Sequence, residues 1–483
     1  MDLSKIKNFQ DSIVTVMGLG RFKQGSGVGA AKWLIKHGAQ TVITDMKSEA
    51  DLKESVEEVM KHYSQIKAEV TDRDIYPPVF VLGEHHEDDF MEADLVLKNP
   101  GVPFNSDYVI EAEKNKIPVE SDVSLFFRYC PWPIYSVTGT RGKSTTTAWF
   151  GHLLKAVHEK PVIAGNIQHS PLEDLDWILL EKQPVPVVLE LSSWLLESLK
   201  NVNIAPKIAI YTNAFEDHLD RYDSFAGYIA AKEMMFKDQG PADMAILNAD
   251  NEIVAQAASR IKAKIYWFSL KPLAGREGIW VEDKDIVIQV EGKKQTVCAV
   301  DEVGLKGEHN LHNGLAAALG AYLAGVPVDR IAEGLKTFAG LPSRQETVRE
   351  VKGVTYINDT TATSPEGVIA ALERFGQDGK VIWIGGGSSK GLKFEEMAKH
   401  LHAACKYLIL LEGTALAELS KVLGDAVPKV SVDSMEKAVQ AASSVAEAGD
   451  IVLLSPGTSS FGMFKNEFDR GGQFVEQVKN LKE

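Results

Sequence analysis

The sequence predicts an α/β protein of three domains, and three observations carry that prediction. Short β-branched runs alternate with helical patterns almost from end to end, as in parallel sheets covered by helices. At 483 residues the chain is too long for one hydrophobic core, and roughly 150 residues per domain gives about three. Two breaks divide it: residues 129–133, where prolines flank Trp132, and residues 340–343, which read Gly-Leu-Pro-Ser. The domains are therefore expected at 1–130, 131–340 and 341–483.

In chain order, the first strand is expected over residues 14–17, before a glycine-rich turn and a helical stretch at 30–36. The second, 41–44, ends at Asp45. Further strands are expected at 79–82, 95–97 and 117–119, then at 134–137 across the first break. The middle part continues with 187–191, 208–211 and 244–247, each followed by polar or turn residues. Over 280–300 the pattern changes to alternation, which predicts a small antiparallel excursion. A helix rich in Ala and Leu is expected at 310–323. Beyond the second break come 355–358, 381–384, 407–411 and 451–454. No short repeat or low-complexity tract interrupts this order.

An apolar fraction of 45% and a charged fraction of 25% place the chain among globular proteins rather than disordered ones. A formal charge of −15 argues against a surface that coats nucleic acid or anionic membrane. Cys130, Cys298 and Cys405 are an odd, sparse set, which fits a reducing cytoplasm better than a disulfide framework and offers no paired zinc ligands. Residues 1–10 carry charge without the apolar centre of a signal peptide. No run approaches the ~18 apolar residues of a membrane helix. The expectation is a soluble, cytoplasmic protein with no membrane insertion and no nucleic-acid partner.

The strongest local signal is Val137-Thr138-Gly139-Thr140-Arg141-Gly142-Lys143-Ser144-Thr145, between an expected strand and an expected helix. Glycines let backbone amides turn onto phosphate oxygens, and the helix N-terminus adds partial positive charge. Lys143 can reach the terminal phosphates and Ser144 can ligate Mg²⁺. The loop is shorter than a Walker A loop. Glu190, at the end of an apolar strand, is well placed to hold Mg²⁺, although a Glu there is usually just solvated. A third cluster, Asn213-Ala214-Phe215-Glu216-Asp217-His218-Leu219-Asp220, leaves His218 open as metal ligand, substrate contact or structural histidine. Three polar clusters after three strands point to one site at the carboxyl ends of a sheet. Near the N-terminus, Gly18-Leu19-Gly20, the glycines at 25, 27 and 29, and Asp45 form an imperfect dinucleotide fingerprint.

These motifs, with Gly165-Asn166-Ile167, Glu190-Leu191-Ser192-Ser193, Gly307-Glu308-His309-Asn310, Ser343-Arg344, Asn358-Asp359-Thr360, Lys390 and Arg470-Gly471, resemble in order the Mur ligases, and among them the glutamate-adding branch. The resemblance implies a Rossmann-like UDP-binding domain, a central P-loop ATPase-like domain and a Rossmann-like C-terminal domain that closes over the nucleotide. It implies ATP-dependent addition of glutamate, D-glutamate favoured, to UDP-N-acetylmuramoyl-L-alanine through an acyl phosphate, in cytoplasmic assembly of peptidoglycan precursors. By the same resemblance Gly139, Thr140, Gly142, Lys143, Ser144 and Thr145 hold ATP phosphates. Ser144 and Glu190 hold one Mg²⁺, and His218 and a carbamylated Lys232 a second. Asn310 and Asn313 contact adenine, Arg344 a phosphate, and Asp359 the ribose. Gly18, Leu19, Gly20, Asp45, Asn166 and Ser192 are implied for the nucleotide-sugar substrate, and Thr363, Lys390 and Ser460 for glutamate. The protein is expected to act as a monomer.

Some positions depart from the family pattern: Thr361 replaces its lysine, Ser343 its histidine, Ser388 its aspartate, and Gly457-Thr458-Ser459-Ser460 its Ala-Cys-Ala-Ser. They surround the expected amino-acid pocket, so an L-glutamate-adding variant is the first alternative. A related ligase such as folylpolyglutamate synthase is opposed by the N-terminal glycine domain. An NAD(P)-dependent oxidoreductase rests on those glycines alone. A catalytically inactive nucleotide-sugar-binding regulator is opposed by the intact Lys143, Glu190, His218 and Lys232.

Overall fold

The computed structural model describes residues 9–20, 24–167, 169–216, 221–389, 391–460 and 462–482. The chain forms two compact units, Met1–Phe338 and Ala339–Glu483.

The first unit holds two sheets. One consists of β1 (Ile13–Met17), β2 (Gln40–Asp45), β3 (Val79–Leu82), β4 (Leu95–Lys98) and β5 (Val119–Glu120), all parallel in the order β3-β2-β1-β4-β5. The central strands β1 and β4 are buried on both faces, as a parallel sheet covered by helices requires, while the edge strand β3 is partly exposed. The order reverses beside β1, so the residues following it, Gly18-Leu19-Gly20, lie at a switch point where α/β sheets bind ligands.

The other sheet consists of β6 (Ile134–Thr138), β7 (Val162–Gly165), β8 (Val187–Glu190), β9 (Ile208–Tyr211), β10 (Met244–Asn248), β11 (Lys264–Ser269), β12 (Gly278–Glu282), β13 (Asp285–Val290) and β14 (Lys293–Ala299). Its order is β14-β13-β12-β11-β10-β9-β6-β8-β7. The strands are parallel from β7 to β12, and β12, β13 and β14 form the expected antiparallel excursion. Because β6 lies between β8 and β9, the loops after these three strands are neighbours. One hydrophobic cluster runs through both sheet layers, from Val14, Ile35 and Leu97 to Val187, Leu189 and Ala209.

The second unit holds β15 (Glu346–Val351), β16 (Val354–Asn358), β17 (Val381–Gly386), β18 (Cys405–Leu411), β19 (Lys429–Val432) and β20 (Ile451–Leu454), ordered β15-β16-β20-β17-β18-β19. Only β15 is antiparallel to its neighbour.

Four strands were not expected: β7, β11, β15 and β19. Three of them lie at sheet edges, where one side meets solvent and the sequence need not be apolar; β15 reads ETVREV and is mostly half-exposed. The last strand of the first sheet was expected at 117–119 and stands at Val119–Glu120, because Pro118 has no amide to give the ladder. Among the described residues no helix is long and apolar enough to cross a membrane.

Candidate active site

Three loops meet at the carboxyl ends of β6, β8 and β9. The first runs from Thr138 into helix Lys143–Leu154, capped by Gly142 in a left-handed conformation with φ 79°. A Cβ at Gly142 would stand 2.2 Å from Asn313 Oδ1, so only glycine fits there. The loop after β9 clamps it. The Thr140 amide donates to the Asn213 carbonyl at 3.0 Å, the Arg141 amide to Asn213 Oδ1 at 2.9 Å, and Thr212 Oγ1 to the Arg141 carbonyl at 2.7 Å. Thr212 was not singled out in the sequence. A lone Thr at a strand end carries no signal by itself.

Two cations converge on this loop. Lys143 Nζ donates to the carbonyls of Gly139 and Thr140, both at 3.0 Å. Lys232, on helix Phe225–Glu233, is 1% exposed and donates to the same Gly139 carbonyl at 2.8 Å. Its ammonium lies 4.5 Å from the centre of the Tyr228 ring, whose hydroxyl is 3.2 Å from Thr140 Oγ1. Lys232 is therefore not an exposed helix lysine. Two ammonium groups on one carbonyl oxygen repel each other, and an anion beside them would relieve that repulsion.

Glu190 ends β8, opposite Val137 of β6. Its Oε1 accepts from Asn166 Nδ2 at 2.9 Å, while its Oε2 is buried with no hydrogen-bond donor among the described residues. A buried carboxylate oxygen left without a donor suits a hard cation that takes oxygen ligands, and Ser144 stands in the first turn of helix Lys143–Leu154, which follows the neighbouring strand. These residues fit Mg²⁺. Among the described residues no three His, Cys, Asp or Glu side chains cluster as a metal site. His218 lies outside the described residues.

Asn310 and Asn313 are buried on the first turns of helix Glu308–Leu323. Asn313 Oδ1 accepts from Thr146 Oγ1 at 3.3 Å and faces Gly142, and Asn310 Nδ2 donates to the Lys306 carbonyl at 2.8 Å. Asn166 is engaged with Glu190. Ser192 caps helix Ser193–Glu197 by accepting from the Leu195 amide at 3.3 Å.

A cavity of about 560 Å³ opens at the carboxyl ends of β1, β2 and β4, its lining including Gly18, Gly20, Asp45, Asn99, His85 and Tyr108. Asp45 Oδ2 accepts from the amides of Leu19 at 3.0 Å and Gly20 at 3.3 Å, and Oδ1 from the Lys47 amide at 2.9 Å. Asp45 thus shapes the glycine loop from inside. Leu19 is 2% exposed and packs in the core rather than lining the cavity. His85 was not foreseen. Its Nδ1 is 2.6 Å from Thr44 Oγ1, its ring meets those of Phe90 and Tyr108 edge to face, and burial holds its pKa below the ordinary value.

In the second unit the loops after β16, β20 and β17 meet. The Gly457 amide donates to the Ala362 carbonyl at 2.8 Å and the Ser388 amide to the Ser459 carbonyl at 2.9 Å. Asp359 Oδ1 accepts from the Gln345 amide at 3.1 Å and Oδ2 from Ser455 Oγ at 2.9 Å. Burial pushes the Asp359 carboxyl up to about 7, against the opposing charges of Arg344 and Arg374. Thr363 and Ser460 lie on two of the three loops. Lys390 lies outside the described residues.

Residues 137–321 match the Mur ligase middle domain, and residues 343–457 match the Mur ligase, glutamate ligase domain. The UDP-N-acetylmuramoylalanine–D-glutamate ligase of Roseiflexus sp. (strain RS-1) is 41% identical over 96% of this chain and 98% of its own length. The chain belongs to the Mur ligase family. The identically named protein of Pelotomaculum thermopropionicum is 34% identical over 99% of each chain. Two solved Mur ligases from Thermotoga maritima share the fold. The UDP-N-acetylmuramate-alanine ligase matches with TM-score 0.60 at 20% identity, covering 98% of this chain and 100% of the other. The MurF ligase in complex with ADP matches with TM-score 0.55 at 17% identity, covering 98% and 95%. As a Mur ligase the protein is an ATP-dependent ligase with the α/β architecture expected from its sequence.

Proposed function

We propose that this Mur ligase joins D-glutamate to UDP-N-acetylmuramoyl-L-alanine, consuming ATP. The observation that carries the chemistry is the convergence of Lys143 and Lys232 on the Gly139 carbonyl, with Glu190 at the end of the adjacent strand holding an oxygen that has no donor among the described residues. The choice of substrates is supported by the names of the full-length relatives.

The terminal carboxylate of the nucleotide sugar attacks the γ-phosphorus of ATP, and the bond to ADP breaks. The glutamate amine then attacks the acyl phosphate. Phosphate leaves, the amine loses a proton, and the amide remains. The loop at 139–145 binds and orients the triphosphate, with Lys143 placed to neutralise charge on the transferring group. Asn310 and Asn313 have the mixed donors and acceptors that an adenine edge needs, and Arg344 and Asp359 are assigned to phosphate and ribose. Mg²⁺ held by Ser144 and Glu190 would screen the phosphate oxygens, and His218 and a carbamylated Lys232 are assigned to a second ion. Carbamylation would exchange one of two adjacent ammonium groups for an anion, removing the repulsion at Gly139.

Residues 1–130 are assigned to the UDP-sugar through Gly18, Gly20, Asp45 and the cavity beside them, with Asn166 and Ser192 at its muramoyl end. Residues 131–340 are assigned to ATP and 341–483 to glutamate, through Thr363, Lys390 and Ser460. We take the enzyme to work as a cytoplasmic monomer; its cysteines, Cys130, Cys298 and Cys405, are all free thiols. The experiment is ADP release with UDP-N-acetylmuramoyl-L-alanine against a panel of amino acids. Release with D-glutamate alone is expected. Release with L-glutamate in place of D-glutamate would transfer the assignment to an L-glutamate-adding ligase, and silence with every amino acid would overturn the substrate assignment.

A further inference from the structure

Helix Glu467–Lys479 turns an arginine toward the interior of the second unit, where helices that cover a sheet present apolar residues. Arg470 is 0% exposed. Its Nε donates to Thr360 Oγ1 at 3.1 Å, its Nη2 to the Thr360 carbonyl at 2.9 Å, and its Nη1 to the Thr458 carbonyl at 3.3 Å. All three acceptors are neutral. Among the described residues no carboxylate forms an ion pair with it, and Glu467 acts on it only through longer-range charge. Burial pulls the guanidinium down to about 10, so it stays charged at neutral pH.

A buried charge without a counter-ion is costly, and an apolar residue of similar size often serves a core better. The surroundings nevertheless favour this arginine. Thr360 Oγ1 donates to the Glu467 carbonyl at 2.7 Å while accepting from Arg470. A Cβ on the adjacent Gly471 would stand 2.5 Å from Thr360 Cγ2, so glycine is needed for the helix to approach the loop this closely.

Thr360 is three residues before Thr363, and Thr458 is two before Ser460. Arg470 thus joins the two described loops that carry candidate glutamate contacts. We propose that Arg470 is a positioning residue of the amino-acid pocket, holding residues 359–363 and 455–460 together and setting a positive potential beneath the carboxylates of the incoming amino acid. The inference rests on assigning this unit to glutamate. An acidic amino acid supplies the counter-charge that the core withholds, and it supplies more of it than a neutral one. Selection for an acidic side chain then comes partly from a residue that never touches it.

The test is steady-state kinetics of the full chain with ATP, UDP-N-acetylmuramoyl-L-alanine and D-glutamate. Arg470→Met is expected to raise KM for glutamate about tenfold or more, while KM for ATP and the nucleotide sugar stays within about threefold. Arg470→Lys keeps the charge but not the fork that spans Thr360 and Thr458; the positive potential that remains is expected to hold KM for glutamate within about threefold of the unmodified enzyme. Equal rises in all three KM values for Arg470→Met overturn the inference, and so does a lysine variant as impaired toward glutamate as the methionine one. If Arg470→Met does not fold, the lysine variant decides: a glutamate KM near that of the unmodified enzyme upholds the inference, and a tenfold rise removes it. No glutamate-dependent ADP release from the unmodified enzyme would instead refute the assignment of the unit to glutamate.

Discussion

The first unit contains the same local device twice. After β1 and after β6 a glycine-bearing loop leaves a buried parallel strand and enters a helix, Ser26–Lys36 in one case and Lys143–Leu154 in the other. Their neighbours differ in charge. At the first loop Asp45 reaches in from the next strand and accepts the amides of Leu19 and Gly20. At the second, Lys143 and Lys232 both reach the Gly139 carbonyl. The Asp45 carboxylate is taken up by backbone amides and by Lys47, 3.6 Å away, so it shapes its loop, whereas two ammonium groups on one carbonyl suit a polyphosphate. The glycines set the shape of each loop. The charges around it decide what the loop holds.

The largest effect expected is at the second loop. Lys143→Ala should lower ADP formation by roughly 10³-fold or more, since it removes a cation from the transferring phosphoryl group. Near-normal turnover in a folded Lys143→Ala protein would break the comparison outright. Lys232→Ala should follow, with roughly a 10²-fold loss. Partial rescue of that variant by short carboxylates, together with a mass increase on Lys232 in bicarbonate, would show that the second cation works as a carbamate. An active alanine variant with an unmodified Lys232 in the parent protein would refute it.

At the first loop the effect should be smaller and confined to one substrate. Asp45→Ala leaves the amides of Leu19, Gly20 and Lys47 without their acceptor, at a cost of about 1–3 kcal/mol. KM for the nucleotide sugar should rise about tenfold while KM for ATP holds. A rise in both would mean that the two loops do not serve separate ligands.

The sequence shows the two loops with unequal clarity, and the reason is physical. Gly-Lys-Ser-Thr at a strand–helix junction combines backbone freedom with a cation, so residues close in sequence already carry the chemistry. Asp45 is 26 residues from Leu19, and its role appears only when β1 and β2 pair. The burial of Lys232 against Gly139, 93 residues away, is equally hidden, and without the family resemblance Lys232 reads as an exposed helix residue. The edge strands β15 and β19 were missed because half-exposed strands carry mixed sequences, and β7 because four residues ending in glycine give too short a run, whereas buried runs such as Ile134–Thr138 and Ile451–Leu454 stood out. Arg470 could be matched to a motif, but nothing in one sequence says that an arginine is fully enclosed.

A third strand-end acid extends the comparison to the second unit. Asp45 receives three backbone amides, whereas Asp359 receives one amide and one hydroxyl. Burial pushes the Asp359 carboxyl up to about 7, and its two donors do not offset it. An unfolded chain returns it to about 4. Between those values the folded protein binds the proton more tightly, so this contribution to stability is fully present below about pH 4 and is lost as the pH rises through 7. Asp359→Asn removes the titration and keeps an acceptor for the Gln345 amide. Relative to the unmodified protein, the variant should therefore gain stability between pH 5 and pH 8, by on the order of 1–3 kcal/mol. Thermal unfolding of both proteins at the two pH values measures it. A difference in Tm that stays constant with pH would show that Asp359 is ionised in the folded state across that range, and that its two donors outweigh its burial.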